Sequence, residues 1–395
     1  MKIVILTEII IYLLLLAFIL IEDPLIVTGF LVALAAGIFL AHKQLPQKVA
    51  LINEAFVNNI PKVGAVAFVL SLTFPFAIDG DPYWLQIIDF AILNAIMALG
   101  LNFMTGRAGL ICLGYAAFEA IGAYTVGILC LKLGMSFWIA FPLGGILACV
   151  FGVVLGLPAL RVKGHYLALV TIAFGLIVQE ILLNWESVTG GTNGLIDIPS
   201  PSLFGFDFGT PTDLGFTSLP YLGNFFYLGL VILALATMIV YKFSNSFFGL
   251  LLNAMREDEL AAQCYGLNLT NYKLYAFGIG AFFGGLAGGI YAGMINFIAP
   301  ENFGYGLSVI VISMIILGGL DSIPGAIVGA FFLTIFPEKF RAFEDYRIMF
   351  YGFIIVFCLL FMREGVLPYK LRIFKALGLD SNSVNKEAEA SKEAA

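Results

Sequence analysis

Apolar runs of roughly twenty residues recur along the whole chain, and no other feature restricts its folding more. A bilayer accepts each such run as one crossing helix, which needs about 20 mostly apolar residues. Segments near 3–21, 24–41, 62–78, 84–104, 114–131, 136–157, 165–184, 223–243, 272–294, 305–319, 323–337 and 348–363 qualify. Several are short, and a few are candidates for re-entrant or interface-lying pieces, so about ten to twelve crossings are expected. Composition agrees: 61% of residues are hydrophobic, 12% are charged, and mean hydropathy is +1.00. An ordinary soluble domain is about 25% charged. The expected fold is therefore an all-α integral membrane protein, a polytopic helical bundle with broken or re-entrant helices. The first run follows Lys2 but lacks a small-residue cleavage pattern, so it reads as a spanning helix rather than a signal peptide.

Lysine and arginine in short loops set the expected orientation. No lysine or arginine occurs between Lys163 and Lys242, and that stretch holds the longest loop, 185–222, with Glu186, Asp197, Asp207 and Asp213. It belongs outside. Arg161, Lys163, Arg256, Arg363, Lys370, Arg372 and Lys375 then fall inside, as do Lys43, Lys48 and Lys62. Lys132 is the main exception. Both termini are expected in the cytoplasm, and the polar tail 376–395 reads as disordered.

Several function classes lack their residues. There is no G-x-x-x-x-G-K-[ST] phosphate loop, so no ATPase site of that kind is expected. No His, Cys and Asp cluster has metal spacing, and no nucleophile stands beside a base. The net charge of −6 offers no basic stripe for nucleic acid. Of the five cysteines, four lie in apolar stretches and read as small hydrophobes, and disulfides are not expected. A transporter or channel is favoured over an enzyme.

One apolar run breaks the pattern. "LGLNFMTGRAGLICLGYAAFEAIGAYTVGIL", Leu99 to Leu129, carries six glycines, Arg107 and Glu119. Irregular backbone at membrane depth survives only where protein buries it or water lines it. Arg107 fits a hairpin between two spans. Beyond it, Tyr115, Glu119 and Gly122 share one helix face. Glu119 is a membrane-embedded carboxyl, costly unless it faces the bundle interior or a watery cavity. Two readings stay open: a tight Gly/Ala helix contact with Glu119 satisfied by a neighbour, or the lining of a translocation path. Asn102, Tyr115, Glu119 and Tyr124 are the path candidates, with Asn102 and Tyr124 equally suited to interhelical hydrogen bonds.

The polar loop 245–277 contains "AMREDELAAQCYG", read as one short amphipathic helix. Arg256, Asp258 or Glu259, and Gln263 lie on its polar face. Met255, Leu260 and Cys264 lie on the other, and Gly266 is its C-terminal stop. It is either an ordinary connector or a helix that docks in a groove of a cytoplasmic partner.

Five stretches in order, "NAIMALGLNFMTGRAGLICLGYAAFEAIGAY" (94–124), "LRVKGHYLALVTIAFG" (160–175), "NWESVTGGTNGL" (184–195), "AMREDELAAQCYGLNLTNYKLYAF" (254–277) and "GGLDSIPGAIVGA" (318–330), resemble the permease subunits of branched-chain amino acid ABC importers, most closely the LivM type. The resemblance covers about residues 84–363. It implies a second, LivH-type permease, two cytoplasmic ATPases that hold the ATP, and a periplasmic solute-binding protein, in a bacterial inner membrane. It implies that this chain binds no cofactor of its own. By the same resemblance Arg256, Glu257, Asp258, Glu259 and Gly266 belong to a coupling helix. The chain then divides into extra N-terminal helices (1–78), a permease domain (79–375) and a tail (376–395). Where the family often reads S-L-G-H-A-A-F, Cys112 and Tyr115 replace Ser and His, and Glu119 stands where an apolar residue is more usual. These departures leave urea or amide import by a related permease as an alternative. A proton-coupled secondary transporter using Glu119 and Glu180 is a further one.

Overall fold

The structure, a computed structural model, describes residues 2–21, residues 60–339 apart from 160, 161, 163, 164, 204 and 214–217, and the single positions 352 and 356. The expected span 24–41, and 348–363 apart from the single positions 352 and 356, lie outside the described residues. So do Lys43, Lys48, Arg161, Lys163, the basic residues after 360 and the tail 376–395.

The described chain is a helical bundle. Its helices in order are α1 (Lys2–Leu20), α2 (Ile60–Ser71), α3 (Phe74–Ala77), α4 (Pro82–Asn102), α5 (Ala116–Leu133), α6 (Phe137–Ala159), α7 (His165–Asn184) and the short α8 (Glu186–Thr189). Then come α9 (Tyr221–Ser244), α10 (Phe247–Glu257), α11 (Glu259–Cys264), α12 (Leu269–Ile295), α13 (Tyr305–Gly318) and α14 (Ile323–Lys339). Seven stretches among the described residues are long and apolar enough to cross a membrane: 82–107, 116–133, 137–158, 166–184, 221–244, 269–295 and 300–318. The protein is an all-α, multi-pass membrane protein.

Small residues decide who sits in the middle. α12 carries a dense set of glycines and packs on α5, α6 and α4. A Cβ on Gly122 of α5 would collide with the Gly285 backbone of α12, so the two helices touch backbone to backbone. Such close approach is how membrane helices gain dispersion energy without a hydrophobic drive between them. α4 is enclosed by α9, α12 and α14, while α7 is the least covered of the seven spans.

Polar residues close the two ends. The end carrying the 185–220 loop is stapled by the antiparallel pair β1 (Leu195–Ile196) and β2 (Phe297–Ile298), which ties the loop to the end of α12. At this end Lys339 donates from Nζ to the carbonyls of Ile19 (2.6 Å) and Ile21 (2.7 Å) and lies 4.3 Å from the Trp84 ring centre. That holds α1 to the bundle. The expected single segment 62–78 is two helices instead: α2 stops at Ser71 and α3 restarts at Phe74, with Pro75 in its first turn, where a missing N–H is harmless.

Candidate functional site: a broken helix, a buried acid and a helical elbow

The glycine-rich run is broken as its sequence suggests. α4 leaves regular geometry at Phe103–Arg107, which forms a π-helical turn, a feature frequent at functional positions. The chain then runs without helix to Tyr115 and re-enters as α5. Two hydroxyls meet this backbone: Thr171 Oγ1 accepts from Leu113 N at 3.0 Å, and Ser308 Oγ accepts from Ala116 N at 2.9 Å. Irregular backbone is thus satisfied by α7 and α13.

Arg107 does not sit free in a hairpin. It is 4% exposed, and its Nε lies 2.5 Å from Oδ1 of Asp321 in the turn between α13 and α14. Asp321 adopts a left-handed φ of 69°, a conformation that outside glycine is favoured by asparagine and aspartate. Asn102 fixes that turn from both sides, accepting from Asp321 N at 2.9 Å and donating to Ser322 O at 3.1 Å. Arg256, at the end of α10, donates to the Gly106 carbonyl. Four elements therefore meet: the end of α4, its π turn, the α13–α14 turn and the loop helix α10. Burial pushes the Asp321 carboxyl up to about 6, against the downward pull of Arg107 and Arg256. At neutral pH the pair is still ionised.

The acid of α5 is placed differently. Glu119 is 5% exposed, and its Oε2 has no hydrogen-bond partner among the described residues. Tyr124 is buried too, and its hydroxyl is equally unpartnered. Tyr115 is fully buried and donates to the Gly280 carbonyl at 2.7 Å. Phe303 packs its ring on Tyr124 and Tyr291, at 6.2 and 5.7 Å between centres. The same Phe303 lines a small cleft with Ala117, Leu176, Tyr305 and Ser308, with room for about one water molecule.

The loop helix expected over 254–266 is two helices. Asp258 breaks it: its backbone is extended (φ −152°, ψ 106°), and its side chain caps α11 by accepting from Leu260 N (2.8 Å) and Ala261 N (3.0 Å). A carboxylate at an N-cap satisfies orphan donors and favours the positive end of the helix dipole, so a break here is stable. Gly266 ends α11 with φ 83°, and Leu267 N reaches back to the Ala262 carbonyl at 3.1 Å, a glycine-terminated helix end. Glu259 pairs with Lys273 of α12 at 2.6 Å. Glu257, Leu260 and Tyr265 are exposed.

Of the path candidates, Tyr115, Glu119 and Tyr124 share α5 and its entry, whereas Asn102 braces the Asp321 turn. Sequence reasoning missed Asp321, Ser322, Phe303 and Lys273. A signal for Asp321 existed: Arg107 is the only basic residue between Lys62 and Lys132, and Asp321 the only acidic one between Glu301 and Glu338.

Comparison with known proteins fits this architecture. Residues 83–359 match the family described as branched-chain amino acid transport system, permease component. The high-affinity branched-chain amino acid transport system permease protein LivM of Escherichia coli is 36% identical over 312 residues, 76% of this chain and 73% of that one. A probable branched-chain amino acid transport permease protein LivM of Methanocaldococcus jannaschii is 25% identical over 272 residues, 60% of this chain and 75% of that one. The autoinducer 2 import system permease protein LsrC of Yersinia pseudotuberculosis is 28% identical over 223 residues, 54% of this chain and 59% of that one. No solved structure matches. A bundle of membrane-crossing helices, a family match over most of its length and a relative of this identity lead to one conclusion: the chain belongs to the permease components of branched-chain amino acid transport systems.

Proposed function

We propose that this chain is one permease subunit of an ABC importer for branched-chain amino acids in a bacterial inner membrane. A second, LivH-type permease stands beside it. Two ATPase subunits, which hold the ATP, bind at the Arg107 end, and a periplasmic binding protein docks at the end carrying the 185–220 loop. Both termini are cytoplasmic. The lysine and arginine distribution supports this orientation.

The observation that carries the reading is the contact from Arg256 to the Gly106 carbonyl. The loop helices α10 and α11 present exposed Glu257, Leu260 and Tyr265 to a partner. They are also joined to the π turn of α4 and, through Arg107 and Asn102, to the α13–α14 turn. A push on α11 therefore reaches the re-entrant segment that starts at Gly109 and ends at Tyr115. In this reading Arg256, Glu257, Asp258, Glu259 and Gly266 couple ATPase closure to the bundle, and Tyr115, Glu119 and Tyr124 belong to the substrate path.

The test is expression with genomic neighbours, tagging this chain, and reconstitution. A second permease and ATPase chains should co-purify, and ATP with binding protein should drive leucine uptake. Arg256→Glu and Gly266→Pro should abolish uptake while membrane insertion persists. Recovery of the chain alone, with uptake driven by a proton gradient and indifferent to ATP, overturns the reading. Wild-type uptake in both variants overturns the coupling assignment.

A further inference from the structure

Two short ribbons at the end carrying the 185–220 loop have an uncovered apolar side. In the β1–β2 pair Ile196 stands directly opposite Phe297, and they are 59% and 38% exposed. A hairpin joins the strands Ser202–Leu203 and Phe206–Asp207, and there Leu203 stands opposite Phe206, at 41% and 43% exposed. Side chains directly opposite in an antiparallel pair share one face, so each ribbon presents an apolar couple. Folding gains little from leaving these four in the open, and clustered exposed apolar surface marks an interaction site.

The ribbons are held in place. Ile198 N donates to the Asn296 carbonyl at 3.1 Å, and Asn296 Nδ2 donates to Ser200 Oγ at 3.2 Å. The segment between the two couples is thus pinned to the end of α12. Trp138 Nε1 donates to the Ser202 carbonyl at 2.7 Å, and its ring packs on Phe208 just beyond the hairpin. A surface fixed in advance costs a partner little ordering.

Charge identifies the cover. Exposed Asp197 and Asp207 adjoin the couples in the chain, and exposed Glu186 and Glu301 lie at the same end. Carboxylates so close keep the couples out of the bilayer core. The lysines of this end among the described residues are Lys132 and Lys339. Lys132 donates to the Ser187 carbonyl at 2.6 Å, and Lys339 to those of Ile19 and Ile21. The end is acidic, and it suits a partner that sets lysine and arginine around an apolar centre.

We propose that the Ile196–Phe297 and Leu203–Phe206 couples are the seat of the solute-binding protein, and that the lobe resting on them is rimmed with basic residues. This rests on the importer reading and assigns where, and by what chemistry, its binding protein docks.

The test uses the tagged transporter complex in nanodiscs with the purified binding protein encoded beside it. The photo-cross-linker p-benzoylphenylalanine replaces Phe297 or Phe206, and the cross-linked product is identified by mass. Both positions should capture the binding protein. Ile196→Ser/Phe297→Ser should raise the binding-protein concentration that half-stimulates the ATPase by about tenfold, as loss of an apolar anchor does. Glu186→Lys/Glu301→Lys should raise it several-fold and flatten its dependence on salt between about 0.05 and 0.5 M, a range that screens exposed charges. All variants should still co-purify with their partner chains. Cross-links only to lipid, to the second permease or to residues 340–347 of this chain overturn the proposal. So does wild-type stimulation in both double variants, or a wild-type response that salt does not weaken. If the binding protein never stimulates the wild-type ATPase, the importer reading falls and the proposal with it.

Discussion

The two charged residues of the glycine-rich run meet opposite fates. Arg107 is paired: Asp321 opposes its charge, and Asn102 and Arg256 brace the backbone around it. Glu119, twelve positions later, is as deeply buried and has a bare oxygen. The difference teaches how to read buried charge in a membrane bundle. A paired charge joins elements and transmits force between them. An unpaired one stores a cost that a ligand can relieve.

The contrast is open to breakage at three places. The largest expected effect is on the paired side. Arg107→Met leaves Asp321 without its paired counter-ion, with only the more distant Arg256 charge in reach, and should destabilise the chain by roughly 3–5 kcal/mol, read as a lowered unfolding temperature in detergent. The double variant Arg107→Met/Asp321→Leu should recover most of that loss, since an apolar pair carries no desolvation cost.

Next comes the pH dependence of the same pair. The Asp321 carboxyl is pushed from 3.8 up to about 6 by burial. The folded protein therefore holds this proton over a range where the unfolded chain has lost it. Stability from this group is fully present below about pH 4 and is lost as pH rises to about 6, by up to about 3 kcal/mol. Measured against Asp321→Asn, wild type should lose relative stability across that window and stay level above it. A difference that does not change with pH would show that the pair stays ionised throughout.

The smallest effect should have the opposite sign. Glu119→Leu removes a buried carboxyl that has one bare oxygen, so it should leave the fold unchanged or stabilise it by about 1–3 kcal/mol while abolishing leucine uptake. A destabilised Glu119→Leu would put Glu119 in the same class as Arg107.

Long apolar runs carried most of the fold. The expected spans 165–184, 136–157 and 272–294 appear as His165–Asn184, Phe137–Ala159 and Leu269–Ile295. Glycine placement also marked the break after α4, because only packed or wetted backbone can be irregular at that depth. Local pattern failed where the deciding partner is distant. Arg107 and Asp321 are separated by most of the bundle's chain length, and no periodicity reports such a pair. It failed again at Asp258, where an acidic run hid an N-cap among residues that also suit a helix interior. The two-residue strands of the 185–220 loop are too short for alternation to register.

The Lys339 contacts concern the order in which the chain is made. Its acceptors, the carbonyls of Ile19 and Ile21, leave the ribosome first, and Lys339 follows more than three hundred residues later. Until α14 arrives, the end of α1 must find other hydrogen-bond partners or stay at the interface. Lys339 thus ties the earliest of these helices to the latest. Insertion machinery that releases helices one by one would have to keep α1 within reach through nearly the whole of synthesis.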